Sequence, residues 1–147
     1  MSLLDNLLKP GSGATGQKIY ATGFSGKDFA ALPGLIEALD AVLIDIRFAP
    51  SAQPIRWSKP YLSLLLKKKY LHVPHLGSRA QAESGKFLIQ NMALGIKIVR
   101  EIHADVLLMC ECEKAENCHR RFISDSLKGQ GIDVREIVNW EDVRFYP

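Results

Sequence analysis

Cysteine is scarce in this chain and bunched where it occurs: three residues in 147, all between Cys110 and Cys118. A secreted disulfide framework draws on an even set spread along the chain. An odd cluster points instead to a reducing compartment, and there to a metal, a reactive thiol or plain packing. Long apolar runs are missing too. The longest, such as residues 106–109, fall far short of the ~18 residues that a membrane span requires. Residues 1–16 lack the basic start and extended apolar stretch of a secretory signal. Charge is nearly balanced, with 19 basic and 16 acidic residues giving +3, too mild by itself to imply nucleic-acid or membrane binding. No copies recur at the ~20-residue or longer periods of repeat folds. The expectation is a cytoplasmic, single-domain protein without a membrane segment. With 47% hydrophobic residues, a chain of this length can bury a core without disulfide staples.

Residues 1–17 read as a flexible tail, because Pro10, Gly11, Ser12, Gly13, Thr15 and Gly16 form a breaker-rich stretch. Residues 18–147 read as one domain. Short apolar runs at 18–22, 41–46, 70–73, 106–110 and 132–138 predict strands. Helical periods lie between them at 28–39, 60–68, 85–103 and 117–128, with Pro33 expected near a first turn. This alternation predicts an α/β fold: a three-layer, doubly wound domain with a mostly parallel sheet of about five strands.

In such folds ligands sit outside the carboxyl ends of the strands, and the reactive residues fall there. Ser25 follows the first strand, Asp45 and Arg47 end the second, and His75 follows the third. Cys110 ends the fourth, leading to Cys118, His119 and Arg120. Their loops are expected to meet on one rim. Bland readings stand beside this one: Asp45 and Arg47 as a structural ion pair, His72 as a satisfied core histidine, Trp57 and Trp140 as packing anchors. The run Lys67 to Lys69 suits a solvated helix end. Thr22, Gly23 and Ser25 carry no full glycine fingerprint, and no cofactor is assigned.

The stretch from Cys110 to Arg120 is the densest in chemistry. With Asn117 as the helix cap, Cys118, His119 and Arg120 would occupy a first turn whose amides and dipole favour an anion and a thiolate. Cys118 and Cys110 are then the candidate thiols, His119 the proton carrier. Arg47 and Arg120 would grip the anion. Three thiols and an imidazole also match the ligand set of a zinc site. Adjacent helical residues diverge by ~100°, however, so Cys118 and His119 are poorly placed to share one ion, and no metal ligand is assigned.

Several segments together resemble one known family. They are Ala21-Thr22-Gly23-Phe24-Ser25, Asp45-Ile46-Arg47 with Pro50-Ser51, Trp57-Ser58-Lys59, Tyr70-Leu71-His72-Val73-Pro74-His75-Leu76-Gly77, and Leu107-Leu108-Met109-Cys110 running to Cys118-His119-Arg120. The family is the bacterial and archaeal one called domain of unknown function 488, and the resemblance covers about residues 18–137. It implies no settled activity. It favours Ser25, Asp45, Arg47, Cys110, Cys118, His119 and Arg120 as site residues. Two positions depart from the family pattern: Phe24 stands where a histidine is usual, and Cys112 replaces a glutamate, between Glu111 and Glu113. If that histidine is a catalytic base or ligand, the chain either lacks its step or uses His75 instead.

The combined expectation is a small anionic ligand, phosphate- or nucleotide-like, bound at a Cys/His/Arg/Asp site that could support thiol-dependent catalysis. The alternatives are a non-catalytic zinc- or redox-binding module, and a nucleic-acid accessory protein suggested by Lys67 to Lys69, Arg56 and Arg79.

Overall fold

Aliphatic runs too short for helices pair into one sheet, and the segments between them coil over its two faces. A computed structural model describes residues 16–50, 55–78 and 88–145. Its strands are β1 (Ile19–Gly23), β2 (Ala41–Asp45), β3 (Tyr70–His72), β4 (Asp105–Cys110) and β5 (Val134–Glu136). Every pairing is parallel, and the strand order is β3-β2-β4-β1-β5. The four α-helices among the described residues are α1 (Leu32–Leu39), α2 (Lys59–Leu66), α3 (Met92–Arg100) and α4 (Arg120–Gly129).

Alternation along the strands divides the core in two. Tyr20, Leu43, Leu107 and Met109 face α1 and α2, meeting Leu32, Leu35, Ile36, Leu39, Leu62 and Leu66. Ile19, Ala21, Val42, Ile44, Val106, Leu108 and Cys110 face α3 and α4, meeting Ile96, Val99, Ile123 and Leu127. A central strand buried on both faces must be apolar throughout, and Val106 to Cys110 in β4 are buried without a break. The result is the three-layer, doubly wound α/β domain anticipated above.

The helices open and close where local chemistry dictates. Pro33 sits in the first turn of α1, preceded by a 3-10 turn over Phe29–Ala31 that the Asp28 side chain caps. The third helix is shorter than its apolar period suggests. It begins after Asn91, whose side chain accepts from the Leu94 amide, so Leu88 and His103 lie outside it. Leu88 is exposed, while its neighbour Ile89 bridges antiparallel to Ser78. Gln17, placed with the tail by composition, is tied into the domain. Its Nε2 donates to the carbonyls of Val99, Ile102 and Ala104, closing the end of α3. The rest of the predicted tail, residues 1–15, lies outside the described residues, as do Ser51 and Arg79.

Chain direction reverses at β4. The connections leaving β1 and β2 run through α1 and α2 on one face, and the connection leaving β4 runs through α4 on the other. The carboxyl end of β4, between those of β2 and β1, is therefore the switch point at which doubly wound sheets place their ligands.

Candidate functional site

Cys110 is the last residue of β4 and points to the α3/α4 side of that switch point. The loop beyond it is pinned to both neighbouring strands. Phe24 N donates to Cys110 O at 3.0 Å, Ser25 N to Glu111 O at 2.9 Å, and Ile46 N to Met109 O at 3.1 Å. Gly23 makes the close approach possible, because a Cβ there would lie 1.5 Å from the Cys112 carbonyl oxygen. The loop then returns through a 3-10 turn, Ala115–Asn117, to Cys118.

The helix starts later than the capping pattern suggests. Cys118 is extended (φ −136°, ψ 149°), His119 takes the cap position, and α4 begins at Arg120. Cys118 is thus not in a helical first turn. Two amides nearby are used internally: Cys118 N reaches Ala115 O and Arg121 N reaches Cys118 O. Those bonds take up part of the amides that an anion at this helix start would use. The extended backbone has a second effect. Cys118 and His119 converge rather than diverge, with His119 Nδ1 3.7 Å from Cys118 Sγ.

Three sulfurs meet in this loop. Cys110, Cys112 and Cys118 place their Sγ atoms within 4.8 Å of one another, and Cys110 Sγ is 2.7 Å from Cys118 Sγ. Cys110 and Cys118 are 1% exposed, whereas Cys112 is only half-buried. That gradient decides their chemistry. Burial pushes the Cys110 thiol well above its ordinary value. Cys118 gains from its hydrogen bond to Cys110, but its bond to Cys112 and its burial outweigh this and push it up to about 11. Cys112 goes the other way. The neighbouring Cys110 thiol and then that of Cys118 hold it below an ordinary thiol, against the opposing effect of burial, and the nearby His119 and Arg120 add to the lowering. The sequence points to Cys118 as the thiolate; of the three thiols it is Cys112, noted above only as a departure from a family pattern, whose pKa is lowered. The available signal was the C-x-C spacing, which puts two thiols on the same side of an extended segment.

His119 is nine-tenths buried, and its tautomer follows from its partner. Its Nε2 lies 2.8 Å from the Ile46 carbonyl, which only accepts, so Nε2 carries the proton and Nδ1 presents a lone pair toward Cys118. Burial lowers its pKa, opposed by the Ile46 bond and by the nearby Cys112.

Arg120 is fully buried, and each of its donors is committed. Nε and Nη2 reach Glu136 Oε1 at 2.9 and 2.6 Å, Nη1 reaches Cys110 Sγ at 3.0 Å and Cys112 O at 2.6 Å, and Nη2 reaches Glu113 O at 3.1 Å. Five N–H groups make five bonds, which leaves none for a ligand. Arg120 is a scaffold of the loop and not the anion grip expected of it. Glu136, at the end of β5, is a member of the site that the sequence did not reveal.

Asp45 and Arg47 form a second group, on the α1/α2 side. Arg47 donates to Asp45 through Nε (2.8 Å), Nη2 (2.7 Å) and its backbone amide (3.2 Å), and Nη2 also reaches Trp57 O at 2.7 Å. Tyr70 Oη donates to Asp45 at 2.6 Å. The guanidinium carbon lies 5.1 Å from the centroid of the Phe24 ring, which stacks on Trp57 at 4.5 Å. Phe24, found where a histidine is usual, therefore serves as a platform beneath Arg47. Unlike Arg120, Arg47 keeps one nitrogen in reserve: Nη1 is buried and has no hydrogen-bond partner.

The expected rim is therefore split. Cys110, Cys118, His119 and Arg120 come together with Cys112, while Asp45 and Arg47 pair beside them, joined to the thiol group through Ile46. Ser25 is exposed, held there by its backbone amide. His75 lies in a 3-10 turn beside α3, with a buried Nδ1 that has no partner. His72 is satisfied by Arg47 O and Lys59 Nζ, as a structural histidine would be.

The thiol arrangement also bears on metal. Two thiolates on one tetrahedral zinc, at ~2.3 Å per bond, are held about 3.8 Å apart. The 2.7 Å between Cys110 and Cys118 is shorter than that, and the group of sulfurs close enough to share an ion is Cys110, Cys112 and Cys118, without His119. Fold and site together define a doubly wound α/β protein with a three-thiol centre at its switch point. No family model, curated protein or solved structure matches the chain.

Proposed function

We propose that this chain is a thiol-dependent enzyme of the domain-of-unknown-function 488 type, acting on a small anionic molecule with Cys112 as its nucleophile. One observation carries the reading. A half-buried thiol at the switch point of the sheet lies within 4.8 Å of two buried thiols, in a loop held by a buried arginine. A thiolate needs that kind of support to attack near neutral pH, and it needs access, which only Cys112 of the three has. His119 Nδ1 is the proton carrier, acting through Cys118. The anion contact falls to Arg47, whose unpartnered Nη1 a ligand oxygen would satisfy.

Iodoacetamide labelling at pH 6, resolved by peptide mass spectrometry, tests the reading. An ordinary thiol of pKa ~8.5 is only ~0.3% ionised at that pH. Cys112 is expected to label at least tenfold faster than Cys110 or Cys118, allowing for the weaker nucleophilicity of a low-pKa thiolate. Equal, slow labelling of all three would refute it.

A further inference from the structure

Resting on the assignment of Cys112 as nucleophile, the geometry points to a substrate class: the cluster is a two-electron relay that reduces small organic disulfides, and its oxidised form is a Cys110–Cys118 disulfide. Three features lead there. A thiolate that forms a mixed disulfide needs a second thiol to release it, and two lie within 4.8 Å of Cys112. The two buried sulfurs are already 2.7 Å apart, against ~2.05 Å in a disulfide bond, so the pair can close with little movement. Only Cys112 reaches solvent, so the attacking thiol and the pair that stores the oxidation are different residues.

The steps balance. The Cys112 thiolate attacks one sulfur of RS–SR, forming a mixed disulfide and expelling RS⁻. Cys118 gives its proton to His119 Nδ1, 3.7 Å away, and attacks Cys112 Sγ. A second RS⁻ leaves and takes that proton. Cys110, whose sulfur accepts from Arg120 Nη1 at 3.0 Å, then attacks Cys118 Sγ. Cys112 departs as thiolate, and the Cys110 proton passes to the first RS⁻. The pair has supplied two electrons and two protons, and Cys112 is regenerated. A dithiol from outside resets the pair.

The test uses the full chain and bis(2-hydroxyethyl) disulfide as the probe, with quenching by N-ethylmaleimide. Cleavage after Lys114 separates Cys118 from Cys110 and Cys112, so each pairing is distinguishable by fragmentation. The wild-type chain is expected to yield a Cys110–Cys118 crosslink with Cys112 alkylated. Cys118→Ser is expected to stop with one mercaptoethanol on Cys112. A wild-type chain that labels rapidly with iodoacetamide at Cys112, yet holds mercaptoethanol there indefinitely, would overturn the relay and leave the nucleophile intact. A Cys112 slow toward both reagents would overturn the nucleophile as well. The wild-type map decides the relay even if the serine variant does not fold.

Discussion

Replacing Arg120 with methionine removes a fully buried cation and keeps most of its bulk. Three losses follow. Breaking a buried ion pair costs about 3–5 kcal/mol, and the lower end applies here because Glu136 is 32% exposed and water rescues part of its charge. The carbonyls of Cys112 and Glu113 also lose donors, at ~0.5–1 kcal/mol each where water can partly replace them. The sum is about 4 kcal/mol. With a urea slope of ~2 kcal/mol/M, the unfolding midpoint falls by about 2 M. Arg120→Lys keeps the charge as a single point that cannot span Glu136 and both carbonyls, and it is expected to recover less than half of the loss. Urea titration followed by circular dichroism reads both variants. A loss below ~1 kcal/mol for Arg120→Met, the size of an exposed ion pair, would refute the scaffold role.

Gly23→Ala tests the same loop from the opposite strand. Its Cβ would lie 1.5 Å from Cys112 O and 2.6 Å from Cys112 C, both backbone atoms. The loop must shift, costing about 1–3 kcal/mol and changing the Cys112 alkylation rate in the same variant. His119 supplies a pH dependence. Its folded pKa is depressed by burial, so the stability it contributes is intact above the ordinary imidazole value of ~6.5. That stability is lost as pH falls through the lower, folded value. His119→Gln should flatten that limb of a urea-midpoint profile, and an unchanged limb would contradict the neutral, buried ring. Chelation tests for a metal held by the three sulfurs: for free thiols, overnight treatment with EDTA is expected to leave the melting temperature and the Cys112 labelling rate unchanged, and a fall in the first would establish a metal.

The fold was legible because strand and helix periods alternate without ambiguity. Ile19–Gly23, Ala41–Asp45, Tyr70–His72, Asp105–Cys110 and Val134–Glu136 all fall on or within two residues of their apolar runs. The third helix was overestimated because Leu88 continues its stripe, although Asn91 supplies the cap. The site was legible only as a set of residues. Periodicity says that Cys110, Asp45 and Arg47 end strands, but not that strands bury alternate side chains on opposite faces. It was this alternation that placed Arg47 on the α1/α2 side and Cys110 on the α3/α4 side. Nor does sequence reveal which arginine is spent internally. Arg120 and Arg47 look alike on paper, and only their partners separate the saturated guanidinium from the one with a nitrogen in reserve. Cys112 is easily passed over because a helix start argues for Cys118, whereas it is the closeness of two neighbouring thiols, brought together only by the fold, that sets Cys112 apart.

The measurement that bears most directly on Cys112 is the ultraviolet absorbance of its thiolate, titrated in the wild-type chain and in Cys112→Ser. The wild-type chain should retain the signal of one thiolate down to about pH 5, well below the ~8.5 of an ordinary cysteine, and the variant should lack it. A signal that rises only above about pH 8, or one that survives in the variant, would contradict the assignment.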